Sequence, residues 1–280
     1  MHLKSTLDYP MTNDGSLPLL KWPGGKRALV AAVTSIFPEQ FGKYFEPFLG
    51  GGAIFFALNP GKAILSDVNS DLIETYNEVK NNPTDVIARL RKLKNSEKAY
   101  YEIRSFRPEH PTDRAARFMY LCSLSFNGIH RYNLKGEFNV PYGQKTHLNI
   151  CDEARIFACS ERLRTARLIA ADFATVISKA KANDLVYLDP PYTVAHNNNG
   201  FVKYNKAIFS WQDQERLAFA AEAARQRGCF VVVSNADHES VRALYPHFAY
   251  KTISRHSVIA SAPAHRKTIT EGLFWADGRV

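Results

Sequence analysis

Residues Asn183 to Asn205 read "NDLVYLDPPYTVAHNNNGFVKYN": a short apolar run stops on an acid, and two prolines and a tyrosine follow at once. These residue types suit one difficult reaction. An exocyclic amine on a nucleobase is a weak nucleophile, because its lone pair is delocalised into the ring. A site that accepts both N–H hydrogens draws that nitrogen towards a tetrahedral shape. Asp189 can accept one hydrogen and the Pro190 carbonyl the other. The fixed φ of Pro190 and Pro191 holds that carbonyl in place. Tyr192 offers an aromatic face on which an extruded base can stack. The chemistry would be positioning with preorganised acceptors, aimed at a sulfonium methyl, with no covalent intermediate and no metal.

Two further strand ends carry acids: Glu46 in "FEPFLGGG" and Asp67 in "LSDVN". In an open α/β sheet, ligands sit at the carboxyl ends of strands. Glycines 50–52 let the backbone approach a ligand closely. Asp67 follows them by about twenty residues, a spacing at which an acid commonly holds ribose hydroxyls. The dinucleotide pattern GxGxxG fails, because Phe55 stands where its last glycine belongs. A P-loop also fails: no glycine stands five residues before Gly25-Lys26, and Arg27 replaces Ser or Thr. Glycines without a phosphate-binding lysine, edged by acids, suit a cationic ribose-bearing ligand such as S-adenosylmethionine. A nicotinamide oxidoreductase is excluded by the same glycine pattern.

The elements that position these residues alternate strand, helix, strand. "KYFEPF", "KAILSD", "LIAADF", "DLVYLD" and "CFVVVSN" are near-continuous apolar runs, as expected of strands covered on both faces. "KRALVAAVTSIF", "AIFFAL", "NSDLIETYNEVK" and "QERLAFAAEAARQR" read as helices, with Asp71 and Glu74 as a capping box for the third. "YKTISRH" and "KTITEGLFW" read as a closing antiparallel pair. This rhythm predicts a parallel, doubly wound sheet. Residues 81–167 break it. They carry helical segments at 84–94, 112–125 and 152–166, and "HRYNLKGEFNVPYG" reads as a protruding hairpin that turns at Lys135-Gly136. The expected organisation is a flexible arm (1–18), a catalytic unit (19–80 and 168–280) and a mainly helical insert (81–167).

Composition sets the partners. With 36 Lys and Arg against 27 Asp and Glu, the chain carries a net charge of +9, which favours a polyanion. Cys122, Cys151, Cys159 and Cys229 have no CxxC spacing and read as reduced thiols of a cytoplasmic protein. Histidines without HxxxH or HExxH exclude an obvious zinc site. No apolar run is long enough to span a bilayer, and no signal peptide is visible.

In order and spacing, several motifs resemble those of the Dam-type DNA adenine-N6 methyltransferases, the α-arranged D12 family with "DPPY". The likeness runs from about residue 19 to residue 275. It implies a Rossmann-like methyltransferase sheet with an inserted target-recognition domain. "WPGGK" resembles the family's amino-terminal cofactor motif, which places Trp22 and Lys26 at the methionine end of S-adenosylmethionine. "FEPFLGGG" resembles its first sheet motif, nominating Glu46, Pro47, Phe48 and Gly50. "SDVN" gives Asp67 the ribose role, and "ADF" gives Asp172 and Phe173 the cofactor adenine. "SNADH" (234–238) resembles a further motif at a strand end.

"FNGIHRYNLKGEFNVPYG" (126–143) resembles the family's target-reading hairpin. It joins Arg131, Lys135, Asn127, Asn133 and Asn139 with Phe126, Tyr132 and Phe138. Arginine can bond a guanine edge bidentately, asparagine can read adenine, and planar groups can fill the gap left by a flipped base. Arg131 is the nominated guanine reader, Asn127 the gap filler, and Pro141 a further contact. Lys21, Lys203, Arg255, His265, Arg266 and Lys267 can touch phosphates. "HNNNG" reads as a lid over the base, with Phe201 or Tyr204 near the target.

The expected function is therefore methylation of adenine N6 in double-stranded DNA by a monomer. The hairpin is compatible with GATC. Rivals with the same chemistry are an RNA-adenine enzyme, which needs no such hairpin, and a glutamine-modifying enzyme, which usually shows Asn in place of Asp189. A catalytically silent DNA-binding module is the rival from another class.

Overall fold

A computed structural model of the chain describes residues 17–133, 135–193, 209–256 and 268–279; side chains at 255, 256, 268 and 269 are outside the description. The arm up to residue 16, the Asn-rich stretch with Phe201, Lys203 and Tyr204, and His265, Arg266 and Lys267 lie outside the described residues.

Strands β1 (Tyr44–Glu46), β2 (Ala63–Asp67), β3 (Ala166–Ala170), β4 (Leu185–Leu188) and β5 (Phe230–Ala236) run parallel. Strands β6 (Ala249–His256) and β7 (Thr268–Asp277) close the sheet antiparallel. The spatial order is β3-β2-β1-β4-β5-β7-β6. The order reverses between β1 and β4, and a reversal of this kind opens a crevice at the carboxyl ends of the strands.

The strand sequences explain this placement. β1, β4 and β5 are buried at every position, as parallel strands covered on both faces must be. Successive side chains alternate between faces. Tyr44, Tyr187 and Val232 enter one core, while Phe45, Val186, Leu188, Val231 and Val233 enter the other.

On the second face lie α8 (Phe173–Ile177) and α9 (Trp211–Gln226). Ser210 and Asp213 cap α9 reciprocally in a capping box. The first face is covered by α1 (Val30–Thr34), α2 (Ala53–Leu58) and α3 (Ser70–Asn81). There the core continues without a break into α4 (Pro83–Leu90), α5 (Glu97–Ser105), α6 (Pro111–Leu124) and α7 (Glu153–Leu163), through Val86, Leu90, Tyr100, Tyr120 and Leu163. The sequence reading missed α5. It also misplaced the cap of α3: Asn69, not Asp71, accepts the Leu72 N–H at 3.1 Å. Asp71 and Glu74 instead reach outwards to Tyr132 and Arg114.

The hairpin is present as two narrow antiparallel arms, bridged at Tyr132–Phe138 and Ser125–Tyr142. All four cysteines are free, and burial raises the thiols of Cys159 to about 12 and Cys229 to about 11. No helix among the described residues is long and apolar enough to cross a membrane. No cluster of metal-ligating side chains occurs among them either.

Candidate active site and its relatives

The carboxyl edge of the sheet gathers Glu46 from β1, Asp67 from β2 and Asp189, the residue after β4. Each acid has a different environment. Glu46 is buried and accepts the Tyr44 hydroxyl at 2.9 Å. Burial, opposed by that bond and reinforced by the nearby Asp189, pushes its carboxyl up to about 8. It is therefore largely protonated at neutral pH.

Asp67 shapes the glycine turn. Its oxygens accept the Gly50 N–H at 3.1 Å and the Asn69 N–H at 3.0 Å. The Tyr76 hydroxyl donates to the Gly50 carbonyl at 2.9 Å, so the peptides on both sides of Gly50 are held. Gly50 has φ +46°, and a Cβ there would lie 2.7 Å from the Trp22 ring. Only glycine fits.

Lys26 comes from the loop before α1 and is 6% exposed. Its Nζ lies 2.8 Å from Asp189 Oδ1 and 3.4 Å from Glu271 Oε2. It also donates to the Tyr192 oxygen at 3.2 Å and the Gly24 carbonyl at 3.3 Å. Burial alone would lower its pKa, but Asp189, Tyr192 and Glu271 outweigh that and hold it well above the ordinary value. Lys26 is thus a charged, buried ammonium. The Tyr192 hydroxyl donates to Glu271 at 2.6 Å, and burial raises its pKa far above the usual phenol value. It is a neutral donor and does not serve as a base.

The turn after Asp189 is anchored from a second side. Gln214 of α9 donates to the Pro191 carbonyl at 3.2 Å. Asn235 of β5 donates to Gln214 at 2.9 Å. Both amides are fully buried. This gives the "SNADH" strand end a structural role that its sequence did not reveal.

Beside these acids, Phe48 stacks on Phe173 with centroids 5.4 Å apart. Asp172 caps α8 through Ala174 N–H at 2.9 Å and pairs with Arg216 at 3.0 Å. The guanidinium of Arg216 lies 4.8 Å above the Phe173 ring.

The hairpin residues form a separate group, joined to the Trp22–Lys26 loop by packed rings. His130 stacks on Trp22 at 5.2 Å and touches Phe118 and Phe138 at 4.6 and 5.2 Å. Burial, with Arg117 nearby, lowers its pKa to about 4, so it is neutral. The Tyr132 hydroxyl ties the hairpin to Asp71 of α3 at 2.8 Å. Arg131 is exposed, and its Nε donates to Asn139 at 2.9 Å. Asn133 serves the turn: its oxygen accepts from Lys135 N–H and Glu137 N–H, both at 2.9 Å. The Pro141 carbonyl accepts Phe126 N–H at 2.9 Å. Asn127 is left-handed at φ +54° and exposed, and Lys21 packs against the next residue, Gly128. The Lys135 side chain is exposed at the tip.

The structure therefore brings Lys26, Glu46, Asp189 and Tyr192 together, and sets Pro47, Phe48, Gly50, Asp67, Asp172 and Phe173 along the same edge. It adds Glu271, Gln214 and Tyr44, which sequence reasoning missed. Glu271 had one signal: a lone acid within the apolar strand "TITEGLFW".

Strand order, edge acids and the "DPPY" turn together define a Rossmann-like methyltransferase. The sequence profile of the D12 class N6 adenine-specific DNA methyltransferases matches residues 22–259, and the chain belongs to that family. It is 36% identical over 264 residues to the type II methyltransferase M1.LlaDCHI of Lactococcus lactis subsp. cremoris, covering 91% of this chain and 93% of that protein. It is 32% identical over 259 residues to the DNA adenine methylase of Escherichia coli K12, covering 90% and 92%. It is 33% identical over 263 residues to the DNA adenine methylase of Haemophilus influenzae, covering 91% of each. The protein is an adenine-specific DNA methyltransferase.

Proposed function

We propose that the methyl donor is S-adenosylmethionine and that the acceptor is the N6 amine of an adenine swung out of duplex DNA. The observation that carries this reading is Asp189, at the carboxyl end of β4 where the strand order reverses, followed by Pro-Pro-Tyr. The residues present fit the donor. Strand-end acids and a glycine turn without a phosphate-binding lysine favour a cation with a ribose, beside which Glu46 can ionise. Bound there, S-adenosylmethionine supplies an electrophilic methyl group on sulfur.

The chain's own residues do the rest. Asp67 is placed for ribose hydroxyls, Glu46 and Pro47 line the cleft, and Trp22 and Lys26 border its far end. Phe48 and Phe173, stacked on each other, offer an apolar wall for the cofactor adenine, with Asp172 at its rim. Asp189 and the Pro190 carbonyl accept the amine hydrogens, and Tyr192 stacks on the base. Pro191, pinned by Gln214, keeps this turn rigid.

Residues 81–167 serve as the target-recognition unit, and 19–80 with 168–280 as the catalytic unit. Arg131 reads a guanine edge in a site compatible with GATC. Asn127 fills the space vacated by the base, with Phe126, which is exposed beside it. Lys21, Lys135, Asn139 and Pro141 contact the duplex around them, and Asn133 shapes the turn that presents them. Positive net charge supports such a partner. The protein works as a monomer in the cytoplasm.

Transfer of a tritiated methyl group from S-adenosylmethionine to duplex DNA, RNA and total protein tests donor and acceptor together. Expected is label in duplex DNA alone. Sequencing that detects N6-methyladenine then gives the site. Label confined to RNA, or label in no duplex, overturns the reading.

A further inference from the structure

We propose that Glu271 is a positioning residue of the transfer site, fixing the Tyr192 ring by length and charge while sharing Lys26 with Asp189. The inference rests on the reading of Tyr192 as the base-stacking face.

Glu271 lies in the interior of the sheet. Its β7 position pairs with Ala236 of β5 on one side and Ile253 of β6 on the other. It is fully buried. A carboxylate in such a place is costly unless it is both paired and hydrogen-bonded. An apolar residue at 271 with phenylalanine at 192 would pack the same space without that cost. Balancing the buried Lys26 accounts for a negative charge here, but not for the length that brings Oε2 to the Tyr192 hydroxyl.

The contacts point to orientation. One oxygen, Oε2, receives the Tyr192 O–H at 2.6 Å and lies 3.4 Å from Lys26 Nζ and 3.5 Å from Ser234 Oγ. Lys26 donates to the Tyr192 oxygen at 3.2 Å. The phenol thus accepts on one side and donates on the other, so its direction is fixed. The same lysine holds Asp189 at 2.8 Å. Ring and catalytic carboxylate are therefore tied to one buried cation, and Glu271 closes the circuit. Removing it frees the far end of the ring and lets Lys26 shift towards Asp189. Neither change requires the sheet to open.

The test uses the full chain with Glu271→Asp, Glu271→Gln, Tyr192→Phe and the Gln/Phe double variant, on duplex DNA at saturating donor. Aspartate keeps the charge that balances Lys26 but is one methylene too short for Tyr192. A misplaced group can cost on the order of 10²-fold in turnover. Expected for both Asp and Gln is a fall in kcat of about 10- to 100-fold, with the KM for DNA within about threefold. The double variant should be no slower than the slower single, because both act through one contact. Wild-type turnover in Glu271→Asp, or multiplied losses in the double, overturns the proposal.

A second readout needs no DNA. Fluorine-19 resonance from 3-fluorotyrosine at 192 should be one narrow line in the otherwise wild-type protein, and broadened or split in Glu271→Asp. An unchanged line overturns the proposal whatever the protein does to DNA. A wild-type protein that labels no duplex would instead remove the functional reading, leaving the resonance result to judge Glu271 alone.

Discussion

Asp184 and Asp189 bracket the same strand, one before β4 and one after it. At the amino end, Asp184 accepts Lys43 N–H at 2.7 Å and Lys181 N–H at 2.9 Å, and presses against Gly42. It joins the starts of β1 and β4 through backbone alone. At the carboxyl end, Asp189 faces a buried ammonium, a neutral phenol and the protonated Glu46. An acid satisfied by backbone donors at the amino edge, away from the crevice, fixes structure. An acid held by side chains, at the carboxyl edge where the sheet opens, is available to a ligand. The hairpin repeats the contrast: Asn133 is spent on its own turn, while Arg131 stands exposed.

The largest effect expected is at Asp189. Asp189→Ala should lower methyl transfer by at least about 10²- to 10³-fold, since it removes a preorganised acceptor. The donor should still bind, if more weakly, by calorimetry. Near-normal turnover would erase the distinction between the two aspartates. Asp184→Ala should do the reverse. Two backbone N–H groups lose their acceptor, so urea unfolding should show a loss of about 2–4 kcal/mol, while turnover per folded molecule stays within about twofold. A stable but inactive Asp184→Ala would break the comparison from the other end.

Arg131→Ala should relax site preference by about 1–3 kcal/mol in a comparison of cognate and single-mismatch duplexes. Asn133→Ala should affect stability first, and preference only through the turn. Equal losses for Arg131→Ala on cognate and random DNA would remove it as a base reader.

The smallest effect concerns Glu46, an acid between the two extremes. Its folded pKa of about 8 lies above the ordinary 4.5. A raised carboxyl contributes stability that is fully present below pH 4.5 and is lost as pH rises through about 8. Thermal melts without donor should decline over that window, and Glu46→Gln should flatten the decline. The proposed donor, S-adenosylmethionine, is a cation and would prefer the ionised acid, so its affinity should rise with pH between 7 and 9, by about tenfold at most. A flat profile in the wild-type protein would show that Glu46 does not meet the cation.

Much of this was legible in the sequence, for particular reasons. Strands buried on both faces write themselves as continuous apolar runs, so β1, β4 and β5 stood out, while the half-exposed edge strand β3 showed only its second half. Gly50 and the Asp189–Tyr192 turn are local, and local constraints leave local signatures. Glu271 is different. Its partners Lys26 and Tyr192 lie far away in the chain, and an acid in "TITEG" looks like any solvated strand position until the sheet is assembled. Gln214 was hidden the same way, as one polar residue in an amphipathic helix. Asn69 lost to Asp71 in the cap prediction because several neighbouring residues were all chemically able to cap. Asn133 was legible as an asparagine in a hairpin, but not as one whose oxygen the turn already uses.

If residues 81–167 read the target as proposed, the apolar interior shared between the sheet and α4–α7 has a practical meaning for anyone wishing to alter which sequence is marked. Exchanging residues 81–167 with those of a relative also transplants half of a common hydrophobic seam. Such a graft would be felt first as poor solubility and a lower melting point, ahead of any new preference. Point changes at exposed hairpin residues such as Arg131 and Lys135 leave that seam intact, whereas Phe138, Val140 and Tyr142 on the same arms belong to it.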